Sequence, residues 1–305
     1  MHVSAARPIL KWAGGKRQLL PQLRRFYPAS FGRYIEPFVG SGAVFLDLHN
    51  TGLLDGRRVQ LSDINADVIG CYRMVREAVD AVIDHLCELE AGHRARGSAQ
   101  FYEVRDERFN VQRRAFGAGA EHYTPELAAM LIYLNRTGYN GLFRVNAQGA
   151  FNVPAGRQTS LRICDAENLR CLSRALRRRG VRLGVTSFGD ALTDAGREDF
   201  VYLDPPYAPV SRTAQFTSYT AARFGPDAQA QLQQTVIEIA RRGAHVLLSN
   251  SAAPDIRRLY ADSVEARGAG LTATKVTARR AINSRASGRG AVLEYLITNV
   301  PKAAP

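Results

Sequence analysis

At 305 residues the chain suits one large domain carrying an insertion, or two modest domains. Its 46% hydrophobic content is ordinary for a globular protein with a sizeable core. No apolar run is long enough for a bilayer, and residues 1–9 lack the apolar stretch of a secretory signal, so the expected protein is cytoplasmic, with no membrane partner. Lys and Arg total 41 against 28 Asp and Glu, a net charge of +13. An excess of that size points to a polyanionic partner, nucleic acid first, although an Arg-rich composition gives the same figure. Cys71, Cys87, Cys164 and Cys171 form no Cys-x-x-Cys pair and have no metal-ligand spacing with histidine. They read as reduced, mostly buried thiols, and no metal is expected.

The first third alternates strand and helix signals. Residues 34–38 read as a short strand, Gly40-Ser41-Gly42 as a turn and 43–48 as an apolar helix. Residues 59–62 read as a second strand ending in Asp63, with a helix from about Asn65. Strand, glycine turn, helix, strand is a unit that implies parallel strands. From about 81 to 165 the pattern becomes helical and charged, with glycine interruptions at 92–97 and 117–119, and ends in a Gly, Asn, Arg and aromatic-rich stretch at 135–157. The last third returns to strands at 181–188, 200–203 and 245–249, with an amphipathic helix at 227–242. Residues 272–281 and 291–300 flank a basic Gly- and Ser-containing loop and read as an antiparallel hairpin at a sheet edge. The expected fold is therefore α/β: a Rossmann-like, doubly wound, mostly parallel sheet with an antiparallel edge hairpin and an inserted, mainly helical domain. Residues 1–80 and 166–305 form the first part and 81–165 the second.

Phe38-Val39-Gly40-Ser41-Gly42 lies where a strand gives way to a helix. Glycines there let backbone approach a ligand closely, and the helix start favours electron-rich groups. Asp63 closes the next strand at about the 20-residue spacing at which an acid binds ribose hydroxyls. The pair fits any adenosine-bearing cofactor, but Ala43 stands near where the nicotinamide fingerprint wants a third glycine. A plain turn is the competing reading. Leu10-Lys11-Trp12-Ala13-Gly14-Gly15-Lys16 holds the only Trp and can bring an amine to an anionic group, yet it lacks the P-loop pattern.

Asp204-Pro205-Pro206-Tyr207 follows an apolar strand, and an acid at such a carboxyl end lies where doubly wound folds bind ligands. The prolines fix the backbone and remove N–H donors. An arylamine is a poor nucleophile because its lone pair is delocalised into the ring. Two acceptors gripping both N–H groups draw the nitrogen toward tetrahedral geometry and free that pair. Asp204 and the Pro205 carbonyl can supply them, while Tyr207 stacks on the ring. Such a site works by positioning and electrostatics rather than covalent chemistry.

Taken in order, Leu-Lys-Trp-Ala-Gly-Gly-Lys at 10–16, Glu-Pro-Phe-Val-Gly-Ser-Gly at 36–42, Asp-Ile-Asn at 63–65 and Asp-Pro-Pro-Tyr at 204–207 resemble the Dam family of D12-class adenine-N6 DNA methyltransferases. So do residues 133–144 and Phe151-Asn152-Val153-Pro154. The motif order is that of the α group, and the resemblance runs from Leu10 to about Thr298. It implies S-adenosyl-L-methionine as methyl donor, double-stranded DNA as partner and a flipped adenine, within GATC, as target. Trp12 and Lys16 line the cofactor pocket in this resemblance. Phe38, Gly40 and Gly42 form its loop, Asp63 holds the ribose, Asp190 lies near the adenine and Asp204 serves both cofactor and target. Residues 136–157 become a recognition hairpin. There Arg144 grips a guanine edge, Tyr139 stacks or fills the gap left by the flipped base, and Asn140 meets the orphan partner. Leu142 and Pro154 contact thymine methyls, and Lys11 touches another base edge. The basic loop with Arg279, Arg285 and Arg289 meets phosphates. A monomer in solution is expected. Residues 92–119 match nothing in the family by motif. A cytosine-N4 methyltransferase, or a non-catalytic DNA-binding protein on the same fold, are the alternatives; the first more often has Ser before Pro-Pro-Tyr, and the second predicts decayed motifs.

Overall fold

A computed structural model describes residues 5–12, 14–115, 119–157, 162–208, 224–279 and 291–302. Its strands are β1 (Arg33–Glu36), β2 (Arg58–Asp63), β3 (Val181–Val185), β4 (Asp199–Leu203), β5 (His245–Ser251), β6 (Thr272–Arg279) and β7 (Ala291–Thr298). They form one sheet in the order β3-β2-β1-β4-β5-β7-β6. The strands β2, β1, β4 and β5 run parallel. β7 runs antiparallel to both β5 and β6. This is the expected mostly parallel sheet with an antiparallel hairpin at one edge.

Sequence explains the placement. All five residues of β4, Asp-Phe-Val-Tyr-Leu, are buried, as a strand covered on both faces requires. β3 is only half-buried along its length, in keeping with an edge. The chain departs from β1 to β2 on one side, and β4 lies on the other. The register Ile35↔Val201 brings the carboxyl ends of β1 and β4 side by side, which is where doubly wound sheets hold ligands. Beneath that edge Val201, Leu203, Val246, Leu248 and Tyr295 pack with Leu232 and Val236 of the helix Pro226–Arg241. Truncating Leu232 to Ala is expected to cost about 2–5 kcal/mol, the range for buried leucines.

The chain folds as two compact units, one of residues 1–15, 40–53 and 65–185, the other of 16–39, 54–64 and 186–305. The first is mainly helical. Asn65 caps the helix Ala66–Glu77 through the Asp67 N–H. Thr124, followed by Pro125 in the first turn, caps Pro125–Thr137. Gly92 does not interrupt a helix as its composition suggests. It lies inside Val79–Arg96, where a Cβ would come within 2.9 Å of the Gln100 side chain, so the glycine answers to packing. Gly97, at φ 55°, ends that helix. Gly117 lies outside the described residues. Residues 138–157 form a narrow hairpin with antiparallel bridges Gly138↔Ala155 and Val145↔Phe151. Its tip is an Asx-type turn, with Asn146 Oδ1 accepting from the N–H of Gln148 and Ala150.

One boundary differs from the sequence reading. β3 stops at Val185, and Ser187 then caps a short helix Phe188–Ala191 through the Asp190 N–H. The apolar Phe188 extends the strand pattern, but the Ser-x-x-Asp cap wins locally. The thiols also divide: Cys71 and Cys171 are buried, whereas Cys87 is exposed and its sulfur lies 3.2 Å from that of Cys164.

Candidate active site and nucleic-acid interface

Asp204 leaves the end of β4 with its side chain one-fifth exposed. Its Oδ1 receives Lys16 Nζ at 2.7 Å and the Ser249 hydroxyl at 3.1 Å. Both contacts fall on one oxygen, which leaves Oδ2 without a hydrogen-bond partner among the described residues. Burial pushes the Asp204 carboxyl above the usual carboxylate range; the Lys16 ammonium and the Ser249 hydroxyl pull it back, and Glu294 adds a smaller upward push. Lys16 is 4% exposed, and its ammonium stands 4.7 Å from the centre of the Tyr207 ring. The Tyr207 hydroxyl donates to Glu294 Oε2 at 2.8 Å.

The remaining backbone of the turn is fixed as well. Gln229 Nε2 donates to the Pro206 carbonyl at 2.9 Å, and Asn250 Nδ2 in turn donates to the side-chain oxygen Oε1 of Gln229 at 3.1 Å. The Ser251 hydroxyl donates to the Ala208 carbonyl at 2.7 Å. The Pro205 carbonyl has no partner among the described residues. Asp204 Oδ2 and Pro205 O are thus two acceptors left unengaged beside an occupied Asp204 Oδ1, Pro206 carbonyl and Ala208 carbonyl. Ser249, Asn250 and Ser251 are all fully buried on β5. The sequence reading passed over them, and over Gln229 and Glu294. The signal was present as three polar residues in the last turns of an otherwise apolar strand, but only the β4–β5 pairing gives it meaning.

Asp63 ends β2 and is buried at 9% exposure, with its carbonyl accepting from Thr186 N–H at 3.3 Å. Asp190 is exposed and takes the Ser187 hydroxyl at 2.7 Å. Phe38 stacks on Phe188 with ring centroids 5.7 Å apart, and Phe224 closes the trio edge-on.

In the other unit the glycine loop is built against Trp12. Gly40 has φ 44°, and a Cβ there would stand 2.7 Å from indole Cδ1. Gly42, at φ 65° and ψ 27°, precedes the helix Ala43–Asn50. Both positions need glycine for conformation, and Gly40 also for space. Tyr72 fixes the loop by donating to the Gly40 carbonyl at 2.7 Å. Trp12 stacks on Phe143 of the hairpin at 5.6 Å.

Lys11 is held beside the start of the hairpin. Asn135 accepts its N–H at 2.6 Å and donates to its carbonyl at 2.8 Å and to the Gly141 carbonyl at 3.0 Å. The Lys11 ammonium donates to the Arg136 carbonyl at 3.3 Å, and burial, then the Arg136 charge, lowers its pKa. Asn140 takes a left-handed conformation at φ 54° in the turn Tyr139–Gly141. Tyr139 N–H bonds the Pro154 carbonyl at 2.9 Å, so both residues share one end of the hairpin. Leu142 is half-buried and Pro154 exposed. Arg144 is exposed and lies across the hairpin, Nε to Asn152 Oδ1 at 2.8 Å. Arg279 ends β6, its side chain outside the description; Arg285 and Arg289 lie outside the described residues. Among the described residues no cluster of metal-ligating side chains occurs, and no helix is long and apolar enough to cross a membrane.

An acid-Pro-Pro-Tyr turn at the switch point of a doubly wound sheet lies where such folds bind their ligands. The model of the D12 class N6 adenine-specific DNA methyltransferases matches residues 12–282, and the chain belongs to that family. It is 33% identical to the type II methyltransferase M1.LlaDCHI of Lactococcus lactis subsp. cremoris, over 96% of this chain and 95% of that one. It is 37% identical to the type II methyltransferase M.MjaIII of Methanocaldococcus jannaschii, over 96% and 99%. To the DNA adenine methylase of Escherichia coli strain K12 it is 36% identical, over 97% and 96%. The protein is an adenine-specific DNA methyltransferase, which sets aside the cytosine-N4 and non-catalytic readings.

Proposed function

We propose that this enzyme transfers a methyl group from S-adenosyl-L-methionine to N6 of an adenine extruded from double-stranded DNA, within a GATC site. The observation that carries the reading is the pair of unengaged acceptors, Asp204 Oδ2 and Pro205 O, on a turn whose Asp204 Oδ1 and Pro206 carbonyl are occupied. When bound, the cofactor supplies the electrophilic methyl. The chain fits such a group: Gly40, at φ 44°, carries the loop so close to the Trp12 ring that no Cβ is admitted, and Asp63 is the acid that ends β2. Trp12, Lys16, Phe38, Gly40, Gly42, Asp63, Asp190 and Asp204 are the residues assigned to hold it.

Asp204 and the Pro205 carbonyl accept hydrogen bonds from the two N6–H groups and turn the amine lone pair out of conjugation. Lys16 and Ser249 keep the carboxylate oriented and, by favouring its charged form, keep it an acceptor. Its elevated proton affinity suits it to take the proton that N6 must lose. Tyr207 stacks on the extruded base, its hydroxyl anchored by Glu294. Residues 81–165 carry target recognition, with Lys11, Tyr139, Asn140, Leu142, Arg144 and Pro154 at the bases and Arg279, Arg285 and Arg289 at phosphates. The catalytic part comprises 1–80 and 166–305.

The test is transfer of labelled methyl to synthetic duplexes with and without GATC, with nucleoside analysis of the product. Expected is N6-methyladenine confined to GATC duplexes. Equal labelling of duplexes lacking GATC overturns the site assignment. 2-Aminopurine at the target position is expected to brighten on binding; unchanged fluorescence counts against extrusion.

A further inference from the structure

The stretch 98–115 has no role in the chemistry above and none that its sequence suggests, yet its side chains converge on the hairpin. Arg105 Nη1 donates to the Val153 carbonyl at 3.0 Å. Asn110 makes a two-way bond with Phe151: its Nδ2 donates to the carbonyl at 3.0 Å, and its Oδ1 accepts the N–H at 2.8 Å. Arg113 Nη1 donates to the carbonyl of Gly149, at the turn. The rest of the Arg113 guanidinium is fixed on Asp67, with Nε and Nη2 each 2.9 Å from the carboxylate, and the Tyr123 hydroxyl adds a bond to the same carboxylate at 3.3 Å. Phe109 meets the Phe151 ring edge-on at 5.9 Å.

Two properties of this arrangement matter. Every hydrogen bond that 105, 110 and 113 make to the hairpin ends on its backbone, so it fixes the path of the loop while the Arg144 side chain stays exposed. The hairpin itself has only two isolated bridges, and so short a two-stranded ribbon does not hold its own shape in water. Its geometry is therefore imposed from outside. The helical stretch that imposes it contains a π-type segment, Val104–Phe109, whose wider turn shifts Arg105 relative to Asn110 and Arg113 from the phase of a regular helix.

We propose that residues 104–113 are the template that sets the shape of the recognition hairpin, with Asn110 and Arg113 as positioning residues for base discrimination. The proposal rests on the reading of the hairpin as the DNA-recognition element. Base-edge readout by Arg144 tolerates misplacement of only about 0.5 Å. Loss of the Arg113 or Asn110 clamp therefore degrades the choice between cognate and near-cognate sites before it degrades methyl transfer as such.

The experiment measures kcat and KM on a cognate duplex and on duplexes with one base pair of the site changed, for the wild type, Arg113→Met, Arg113→Lys, Asn110→Ala and Arg144→Ala. The cognate site is taken from sequencing of methylated adenines in DNA from cells expressing the wild type. Expected for Arg113→Met and Asn110→Ala is a fall of about tenfold or more in the cognate to near-cognate ratio of kcat/KM, at unchanged affinity for S-adenosylhomocysteine. Arg113→Lys is expected to recover only part of the ratio, since one ammonium cannot span Asp67 and the Gly149 carbonyl as a fork does. Should Arg113→Met fail to fold, Asn110→Ala decides. An unchanged ratio with only a lower melting temperature overturns the template and leaves the stretch as packing. A wild type, or an Arg144→Ala variant, with no change in discrimination across duplexes overturns instead the reading of the hairpin.

Discussion

The turn at 204–207 and the hairpin at 138–157 are both irregular backbone, and they are held in opposite ways. The turn is gripped by side chains that rise from the buried end of the sheet: Ser249 and Ser251 on β5, Gln229 on the helix Pro226–Arg241, Glu294 on β7. Each of those side chains is itself fixed by the strand or helix that carries it, so the acceptors of the turn are rigid before any ligand arrives. The hairpin is gripped through its backbone by Arg105, Asn110 and Arg113, while Arg144 at its surface rests on Asn152 through bonds that water can replace. The difference matches the demands of the two tasks. Drawing an amine out of conjugation needs groups fixed in advance, because reorganising them during the reaction would cost the rate they supply. Reading bases needs side chains that reach out and exchange one partner for another.

The variants that break this comparison fall in a clear order of size. Asp204→Ala removes one of the two acceptors, and turnover is expected to drop by about 10²–10³-fold or more, the range for losing one preorganised polar partner. DNA binding measured by fluorescence anisotropy stays within a few-fold. Unchanged turnover would refute the role of the turn. Arg144→Ala is expected to relax discrimination at one guanine by roughly 1–3 kcal/mol, read as the ratio of kcat/KM on paired duplexes. A uniform loss on every duplex instead makes Arg144 a phosphate contact.

Smaller effects sharpen the comparison within the turn. Ser249→Ala removes a hydrogen bond that favours the charged form of Asp204, so its carboxyl rises further above the usual range. Activity that needs the carboxylate is lost as pH falls through that value. The acid limb of the pH–rate profile is therefore expected above the ordinary carboxylate range in the wild type and higher again in Ser249→Ala, with about 0.5–1.5 kcal/mol lost in stability. An acid limb that does not move takes Ser249 out of the network. Least affected is Glu294→Gln, which keeps an acceptor for the Tyr207 hydroxyl. A change of less than about 1 kcal/mol in kcat is expected, with KM for DNA unaltered, whereas Glu294→Ala frees the ring and lowers kcat severalfold. Equal kinetics for the two variants would show that the Tyr207 hydroxyl needs no anchor.

Sequence alone determined a good deal of this protein. The apolar runs at 34–38, 59–62 and 200–203, the glycine turn at 40–42 and Asp63 fixed the parallel sheet and its ligand-binding edge, because strand burial and glycine backbone freedom are local properties. Asp204-Pro205-Pro206-Tyr207 announced amine chemistry for the same reason, since the acceptors it needs are adjacent in the chain. The end of β3 is not legible, because the cap made by Ser187 and Asp190 competes locally with an apolar pattern, and Gly92 reads as a break because its packing partner, Gln100, lies on the following helix. Only the tertiary structure decided which carbonyls of the turn are free and which are bound. Ser249, Gln229 and Glu294 lie 23 to 87 residues along the chain from the turn residues they bond, and no spacing rule connects them to it. The same holds for the hold of 104–113 on the hairpin. Those bonds run from side chains to backbone, and backbone carries no sequence signature by which the partner can be read.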